Sequence, residues 1–124
     1  MPIRQAILDD TQAITALFTD KVDLWQRMDE EGQVHDLPYS ELTIYERWSH
    51  GGAWMSIETG ALWLSHLAGG AGLAFVYEND GIQGYAEATI SSEGDPYAYH
   101  LHVGEIIATE DSIRESLMEH LIAQ

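Results

Sequence analysis

The end of the chain, from Gly94 to Gln124, constrains the fold most, because it predicts a strand that runs directly into a helix. The predicted strand covers Tyr97 to Ala108, and Thr109-Glu110-Asp111-Ser112 connects it to the closing helix. A strand-to-helix turn directs several backbone N–H groups at one spot, where the helix dipole adds positive character. A phosphorylated ligand, if the protein binds one, is expected at this turn.

The N-terminal part predicts a short strand and a long amphipathic helix. The strand covers Ile3 to Ile7, and Asp9 with Gln12 forms a capping-box pattern that predicts a helix start. Apolar residues then recur at three- and four-residue spacing: Ile14, Leu17, Phe18, Val22, Trp25 and Met28. This spacing indicates a stripe that faces the core, and a polar break follows at residues 30–34.

The middle of the chain predicts two further helices. Thr43 and Glu46 form a second capping box, and the glycine pair at 51–52 ends the helix that they begin. Ser56 is placed to cap a third helix, which the glycines at 69–70 close. The inward-facing positions of this third helix are predicted to be Ile57, Ala61, Leu64 and Leu67.

From residue 73 the apolar period changes from helical to alternating. Residues 73–77 predict a strand, Asn79-Asp80-Gly81 a hairpin turn, and residues 82–90 the returning strand. The predicted order is therefore strand, helices, three mostly antiparallel strands and a helix. This order indicates an α+β fold with helices packed on a mixed, mostly antiparallel sheet, in one domain that covers residues 1–124.

Composition excludes several classes of function. The chain has 21 Asp and Glu against 5 Lys and Arg, a formal net charge of −16, so a nucleic acid or anionic membrane partner is not expected. There are no cysteines, which excludes thiol catalysis and favours a cytoplasmic location. The acidic surface is typical of proteins from salt-rich cytoplasms; an acidic patch for an amine is the functional alternative.

Several segments, in this order, resemble the GNAT superfamily of acyltransferases. The opening IRQAILDDTQAITALF is similar to the first strand and helix of that family, and FVYENDGIQGYAE (75–87) to its central hairpin. HLHVGEIIA (100–108) resembles the strand that contacts acetyl-CoA, and SLMEHL (116–121) the helix after it. The resemblance implies a GNAT-like fold and transfer of an acetyl group from acetyl-CoA to an amine.

The resemblance also implies the site residues. The family pattern assigns the acetyl-CoA contacts to backbone N–H groups of Ile106, Ile107 and Ala108 and to the helix start at Ser112, Ile113 and Arg114. Acetyl transfer to an amine needs a base, and Glu105 is expected in that role, directly or through water, with Glu87 second. Both glutamates could instead be ordinary strand carboxylates that face solvent.

Two departures from the family pattern keep a second interpretation open. Residues 109–114 contain no glycine and include Glu110 and Asp111, whereas the family has a glycine-rich pyrophosphate loop there. The family also continues beyond this helix with another strand, so the chain is interpreted as a short form or the N-terminal part of the fold. The uncovered edge of the Tyr97–Ala108 strand favours a homodimer. The alternative is therefore a non-catalytic, GNAT-like dimerisation or small-ligand-binding module.

Histidines and tryptophans are further candidate site residues. His100 and His102 share one face of the predicted strand, but a metal site needs more ligands, and nothing brings His66 or His120 close. A metal site is accordingly not predicted, and a histidine-based metal-binding protein is the weakest hypothesis. Four tryptophans lie in or beside predicted helices and could line an acyl pocket, although core packing is favoured: Trp25, Trp48, Trp54 and Trp63.

Overall fold

In the computed structural model, which describes residues 2–91 and 100–124, helices cover both faces of a four-stranded sheet. The strands are β1 (Ile3–Gln5), β2 (Gln26–Met28), β3 (Val34–Asp36), β4 (Gly72–Glu78), β5 (Ile82–Ser91) and β6 (His100–Ala108). The helices are α1 (Thr11–Thr19), α2 (Ile44–Gly51), α3 (Ile57–His66) and α4 (Asp111–Ile122). The main sheet has the order β1-β4-β5-β6 with antiparallel pairing throughout, and β2 with β3 forms a separate hairpin. The α+β fold class is confirmed.

Side-chain alternation along β5 builds two separate cores. Tyr85 and Glu87 lie on the face covered by α1 and α3, whereas Ala86 and Ala88 lie on the face covered by α4. The first core contains Ile14, Phe18, Trp54, Leu64, Leu67 and Val76, and the second contains Ile113, Leu117 and Leu121. The sheet therefore forms the middle layer of three.

Gly84 allows α4 to pack closely on the sheet. A Cβ at this position would lie 2.8 Å from Ile113 Cγ2 and 2.8 Å from Leu117 Cδ1, both fully or nearly buried. Such distances are too short for carbon atoms in contact, so a side chain at Gly84 would push the helix away. The glycine in the GYAE segment thus has a packing role.

Most sequence-predicted boundaries are confirmed. Thr43 and Glu46 form the reciprocal capping box, with Thr43 N–H donating to Glu46 at 3.0 Å and Glu46 N–H donating to Thr43 at 3.1 Å. The Ser56 hydroxyl accepts from Thr59 N–H and begins α3, but Ile57, which the spacing predicts to face inward, is 46% exposed. Thr109–Glu110 connect β6 directly to α4 as predicted, while the predicted start of that strand, residues 97–99, lies outside the described residues.

The predicted long first helix is wrong beyond residue 19, and its predicted capping box of Asp9 and Gln12 is wrong as well, because α1 begins after Asp10 with no side-chain cap. Helix α1 ends at Thr19, and the segment containing Trp25 and Met28 leads into and forms β2 of the small hairpin. The Asp29 carboxylate accepts hydrogen bonds from Glu31 N–H and Gln33 N–H, both at 2.9 Å, and so builds the hairpin turn. The local turn chemistry outweighs the helical spacing of the apolar residues.

No helix in the described ranges is long and apolar enough to cross a bilayer.

Arg4 and Asp10 join the first strand to the start of α1. The Arg4 guanidinium donates to both carboxylate oxygens of Asp10 at 2.8 Å, and Ile7 N–H donates to the same carboxylate at 2.8 Å. Burial by itself raises the pKa of Asp10, but the hydrogen bonds from Arg4 and Ile7 outweigh it, and the pKa lies below its usual value. Arg4 also bonds Glu78 at the surface.

We expect Asp10→Asn to lower the free energy of unfolding by about 2 kcal/mol at neutral pH, because it removes charged hydrogen bonds at a buried site. Since folding lowers the pKa of Asp10, its stabilising effect is present above the ordinary value of 3.8 and is lost as pH falls through the lower folded-state pKa. The difference in unfolding free energy between the wild-type and Asp10→Asn proteins should therefore shrink as pH falls below 3.8, and urea denaturation can measure it. Glu78→Gln, at the exposed partner of Arg4, is the control, with an expected loss below about 1 kcal/mol; equal losses from both variants would contradict the account.

Candidate functional site

The central feature of the site is a buried carboxylate on β5. Glu87 is only 3% exposed. Its Oε1 accepts hydrogen bonds from Trp54 Nε1 at 2.8 Å and the Tyr85 hydroxyl at 3.1 Å, and its Oε2 accepts one from Trp63 Nε1 at 2.7 Å. All three donors are neutral, so they satisfy the oxygens without supplying a positive charge.

This environment raises the pKa of Glu87. Burial is the main cause, the three hydrogen bonds act in the opposite direction, and the neighbouring Glu105 carboxylate raises the pKa further. Burial and the charge of Glu87 also raise the pKa of Tyr85 far above its usual value, so its hydroxyl stays protonated and remains a donor. Glu87 is therefore a weakly acidic group that is surrounded by fixed donors.

The two indoles reach Glu87 from different elements. Trp54 lies in the short 3-10 turn Ala53–Met55 between α2 and α3, and Trp63 lies in α3. The Trp54 ring stacks on Phe18 with centroids 6.0 Å apart and meets the edge of Tyr85 at 5.0 Å. These contacts fix the plane of Trp54, and its N–H points at the carboxylate.

A cleft of about 250 Å³ opens beside Glu87. Its lining combines aromatic rings, two carboxylates and the backbone that joins α2 to α3: Phe18, Trp48, Gly51, Gly52, Ala53, Trp54, Trp63, Glu87 and Glu105. Trp48 is half-exposed at the surface of α2, whereas Trp54 is buried. The cleft is thus mostly apolar, with a few convergent polar groups, which is the usual make-up of a small-molecule site.

A β-bulge on β6 shapes the sheet side of the cleft. Glu105 pairs directly with Glu87, but Val103 pairs with Ala88, so Gly104 is an extra residue on β6. A Cβ at Gly104 would lie 3.1 Å from Glu87 Oε2. The glycine leaves room for the buried carboxylate, while the exposed Glu105 beside it lines the cleft.

The predicted backbone donors lie on β6 just after Glu105. Thr109 N–H donates to the C=O of Gln83 on β5. Because N–H groups alternate in direction along an antiparallel strand, Ile107 N–H also points to β5. The N–H groups of Ile106 and Ala108 point the other way, to the edge of β6 that faces away from β5. Among the described strands, none pairs with that edge. Two of the three predicted N–H groups therefore face away from β5, at an edge that no described strand covers.

The remaining predicted cofactor contacts lie at the start of α4. Glu110 occupies the N-cap position without making a side-chain cap, and Asp111 stands in the first turn. The Ile113 side chain is buried, and exposed Arg114 lines a shallow surface depression of about 390 Å³ together with Asp111, Glu115 and Met118. Backbone N–H groups and one cation are present here, but so are the two carboxylates.

Sequence reasoning does not identify the contacts that define the site. The alternating period predicts the strand that carries Glu87, and the alternative that Glu87 faces solvent is wrong, since it is 3% exposed. No local pattern brings Trp54 and Trp63 to that carboxylate, because the contacts span 33 and 24 residues. The prediction that the tryptophans pack in the core holds for Trp54, which is buried, but is wrong for Trp48, which is half-exposed and lines the cleft. Within the described ranges, no group of three or more His, Asp or Glu has a metal-binding arrangement.

Comparisons with known proteins support the fold. The structure is similar to that of a possible acetyltransferase from Clostridium difficile 630, with 15% identity, a TM-score of 0.52, and coverage of 98% of this chain and 65% of the other. It is also similar to a mutant form of a Bacillus halodurans protein, with 13% identity, a TM-score of 0.59, and coverage of 99% and 73%. No family model matches the sequence, and no curated protein matches it. The chain thus shares an α+β fold with a possible acetyltransferase and spans about two thirds of its length.

We expect tryptophan fluorescence to follow the titration of Glu87, because Trp54 and Trp63 donate directly to its carboxylate. The midpoint should lie above the ordinary glutamate value of 4.5, since burial raises the pKa. Because the folded-state pKa is raised, ionisation of Glu87 costs stability as pH rises from 4.5 through that midpoint. Glu87→Gln should abolish the fluorescence step. A midpoint at or below 4.5 would show that the hydrogen bonds outweigh burial.

Proposed function

We propose that this chain is a GNAT-like N-acetyltransferase that transfers an acetyl group from acetyl-CoA to an amine. The observation that carries the proposal is the junction of the cleft with β6: Glu105 lines the cleft, and the N–H groups of Ile106 and Ala108 follow on the same strand. A base and a set of oxygen-binding donors are the groups that acyl transfer to an amine needs. The fold that the chain shares with a possible acetyltransferase supports the same reaction class.

Each residue has a distinct role in this proposal. Glu105, exposed at the cleft, accepts the proton that the ammonium loses when it becomes a nucleophile. The Ile106 N–H, the nearer of the two outward-facing donors to Glu105, donates to the carbonyl oxygen of the acyl group, where negative charge develops, and the Ala108 N–H, about 7 Å further along the strand, is left to another acceptor on the cofactor arm. Glu87 is less suited to the base role, because both of its oxygens already accept hydrogen bonds.

The two ends of the cofactor site fit acetyl-CoA unequally. Acetyl-CoA, when bound, supplies an acetyl group that is activated as a thioester, and the open edge of β6 suits the amide and thioester groups of its arm. At the α4 start, the N–H groups of Ser112 and Ile113 and the Arg114 side chain suit a pyrophosphate. Glu110 and Asp111 oppose it, by about 1 kcal/mol for each like-charge pair at about 4 Å in water.

The acidic turn before α4 favours a second candidate function. A non-catalytic module of the same fold would have no need for a pyrophosphate site, and residues 109–114 contain no glycine that would let a phosphate approach the backbone. The open edge of β6 could then pair with the same edge of a second copy to give a homodimer. This candidate predicts ligand-independent dimerisation and no acetyl transfer.

The experiment measures acetyl transfer from acetyl-CoA to a panel of primary amines, and the free thiol that is released reports the rate. We expect Glu105→Gln to lower kcat by about 10²- to 10⁴-fold, because the proton acceptor is lost. The same variant should keep the thermal stabilisation by acetyl-CoA, which amounts to about 2.7 kcal/mol at about 100 times Kd. Glu110→Gln is the matched control: it removes one negative charge near the α4 turn and should tighten acetyl-CoA binding without lowering kcat.

Salt is varied in the same experiment, because the net charge of −16 destabilises the compact state when it is not screened. Absence of stabilisation by acetyl-CoA at both low and high salt would remove the enzyme proposal and leave the binding module. Unchanged turnover of the Glu105→Gln protein would remove Glu105 as the base.

A further inference from the structure

The cleft beside Glu87 has a chemistry that selects among ligands. Aromatic rings of Phe18, Trp48, Trp54 and Trp63 form its apolar surface, and Glu87 and Glu105 bring carboxylates to it. None of the described residues that line it is a lysine or arginine. A ligand that carries a carboxylate or phosphate would meet the exposed Glu105 carboxylate as a like charge, whereas an ammonium group would meet that carboxylate and the aromatic rings.

The volume of the cleft limits the ligand as well. About 250 Å³ is slightly below the usual range of about 300 to 1,000 Å³ for small-molecule pockets, so it suits a compact molecule. The aromatic surface would remain in contact with water if the ligand were a bare ammonium ion. An apolar body attached to the ammonium would cover the rings and gain from their burial.

We infer that the cleft binds a compact primary ammonium with an apolar body, and that Glu87 is a positioning residue that holds Trp54 and Trp63 as the walls of this site. As an assignment of the acceptor substrate, the inference rests on the proposed function; the binding itself needs no acetyl-CoA. Glu105, exposed at the cleft, is the charge partner of the ammonium.

The hydrogen bonds of Glu87 explain the positioning role. One carboxylate oxygen bonds Trp54 at 2.8 Å, and the other bonds Trp63 at 2.7 Å, so a single side chain joins the turn before α3 to α3 itself. The Tyr85 hydroxyl donates to the same carboxylate, but Tyr85 is fully buried and does not line the cleft. Substitution of Tyr85 is therefore a control that removes one hydrogen bond to the Glu87 carboxylate and leaves the residues that line the cleft in place.

The first test measures binding of matched probes without acetyl-CoA, by tryptophan fluorescence and calorimetry at high salt. The probes are phenethylamine, 2-phenylethanol, 3-phenylpropionate and ethylamine. Phenethylamine should bind about tenfold more tightly than the alcohol, from its cation–π and ion-pair contacts, and more tightly than the other two probes. Glu105→Gln should reduce the preference over the alcohol by about threefold or more, while Glu110→Gln, with the same charge change outside the cleft, should leave it unaltered.

The second test separates the contribution of the Trp63 wall and its bond to Glu87 from general stability. Trp63→Phe keeps an aromatic ring but removes the donor to Glu87, and Tyr85→Phe removes a different donor to the same carboxylate. Trp63→Phe should lower the affinity ratio of phenethylamine to ethylamine by about threefold or more, whereas Tyr85→Phe should leave that ratio within about twofold. Neither variant removes the carboxylate, so both can be measured even if Glu87→Gln does not fold.

The outcomes distinguish this inference from the proposed function. Tight binding of phenethylamine with no acetyl transfer would uphold the ammonium site and remove the acetyltransferase proposal. Acetyl transfer with no preference for amines that have an apolar body would uphold the acetyltransferase proposal and overturn the inferred ammonium site. The inference is overturned if the alcohol or the acid binds as tightly as phenethylamine, or if Trp63→Phe and Tyr85→Phe change the affinity ratio equally.

Discussion

The buried carboxylate of Glu87 is the interaction on which the rest of the site depends. It joins the sheet to the turn before α3 and to α3 itself through Trp54 and Trp63, at 2.8 and 2.7 Å. An ionised group in such a place is costly unless all of its oxygens have donors, and removal of a donor would leave a buried charge less well satisfied. The cleft therefore owes its shape to a polar contact inside an otherwise apolar core.

The alternation of β5 connects this polar contact to the rest of the fold. Gly84 and Ala86 keep one face flat enough for α4, while Tyr85 and Glu87 fill the other face beneath α1 and α3. The bulge at Gly104 then accommodates the carboxylate on the neighbouring strand and leaves Glu105 at the cleft. Packing, register and the candidate chemistry are thus set by a few consecutive residues on two adjacent strands.

Local sequence signals predict the parts of the fold that local chemistry determines. The capping box of Thr43 and Glu46, the turn at residues 79–81 and the transition from β6 to α4 all depend on neighbours within a few residues. The first helix is predicted too long, because the helical spacing of Trp25 and Met28 continues past the true end of α1 and does not reveal the turn that Asp29 builds. The candidate site is only partly predictable, since the indoles that bond Glu87 are distant in sequence, and the edge of β6 that no described strand covers is a property of the whole sheet.

The most direct test of this account is the nuclear magnetic resonance spectrum of the indole N–H groups in ¹⁵N-labelled protein. There are four tryptophans, and the account predicts that Glu87→Gln shifts the signals of Trp54 and Trp63 strongly, because their donors lose a carboxylate acceptor. The signals of Trp25 and Trp48, which do not bond Glu87, should move little. A variant that folds but leaves all four signals in place, or shifts them all alike, would contradict the claim that this carboxylate holds the two indoles together.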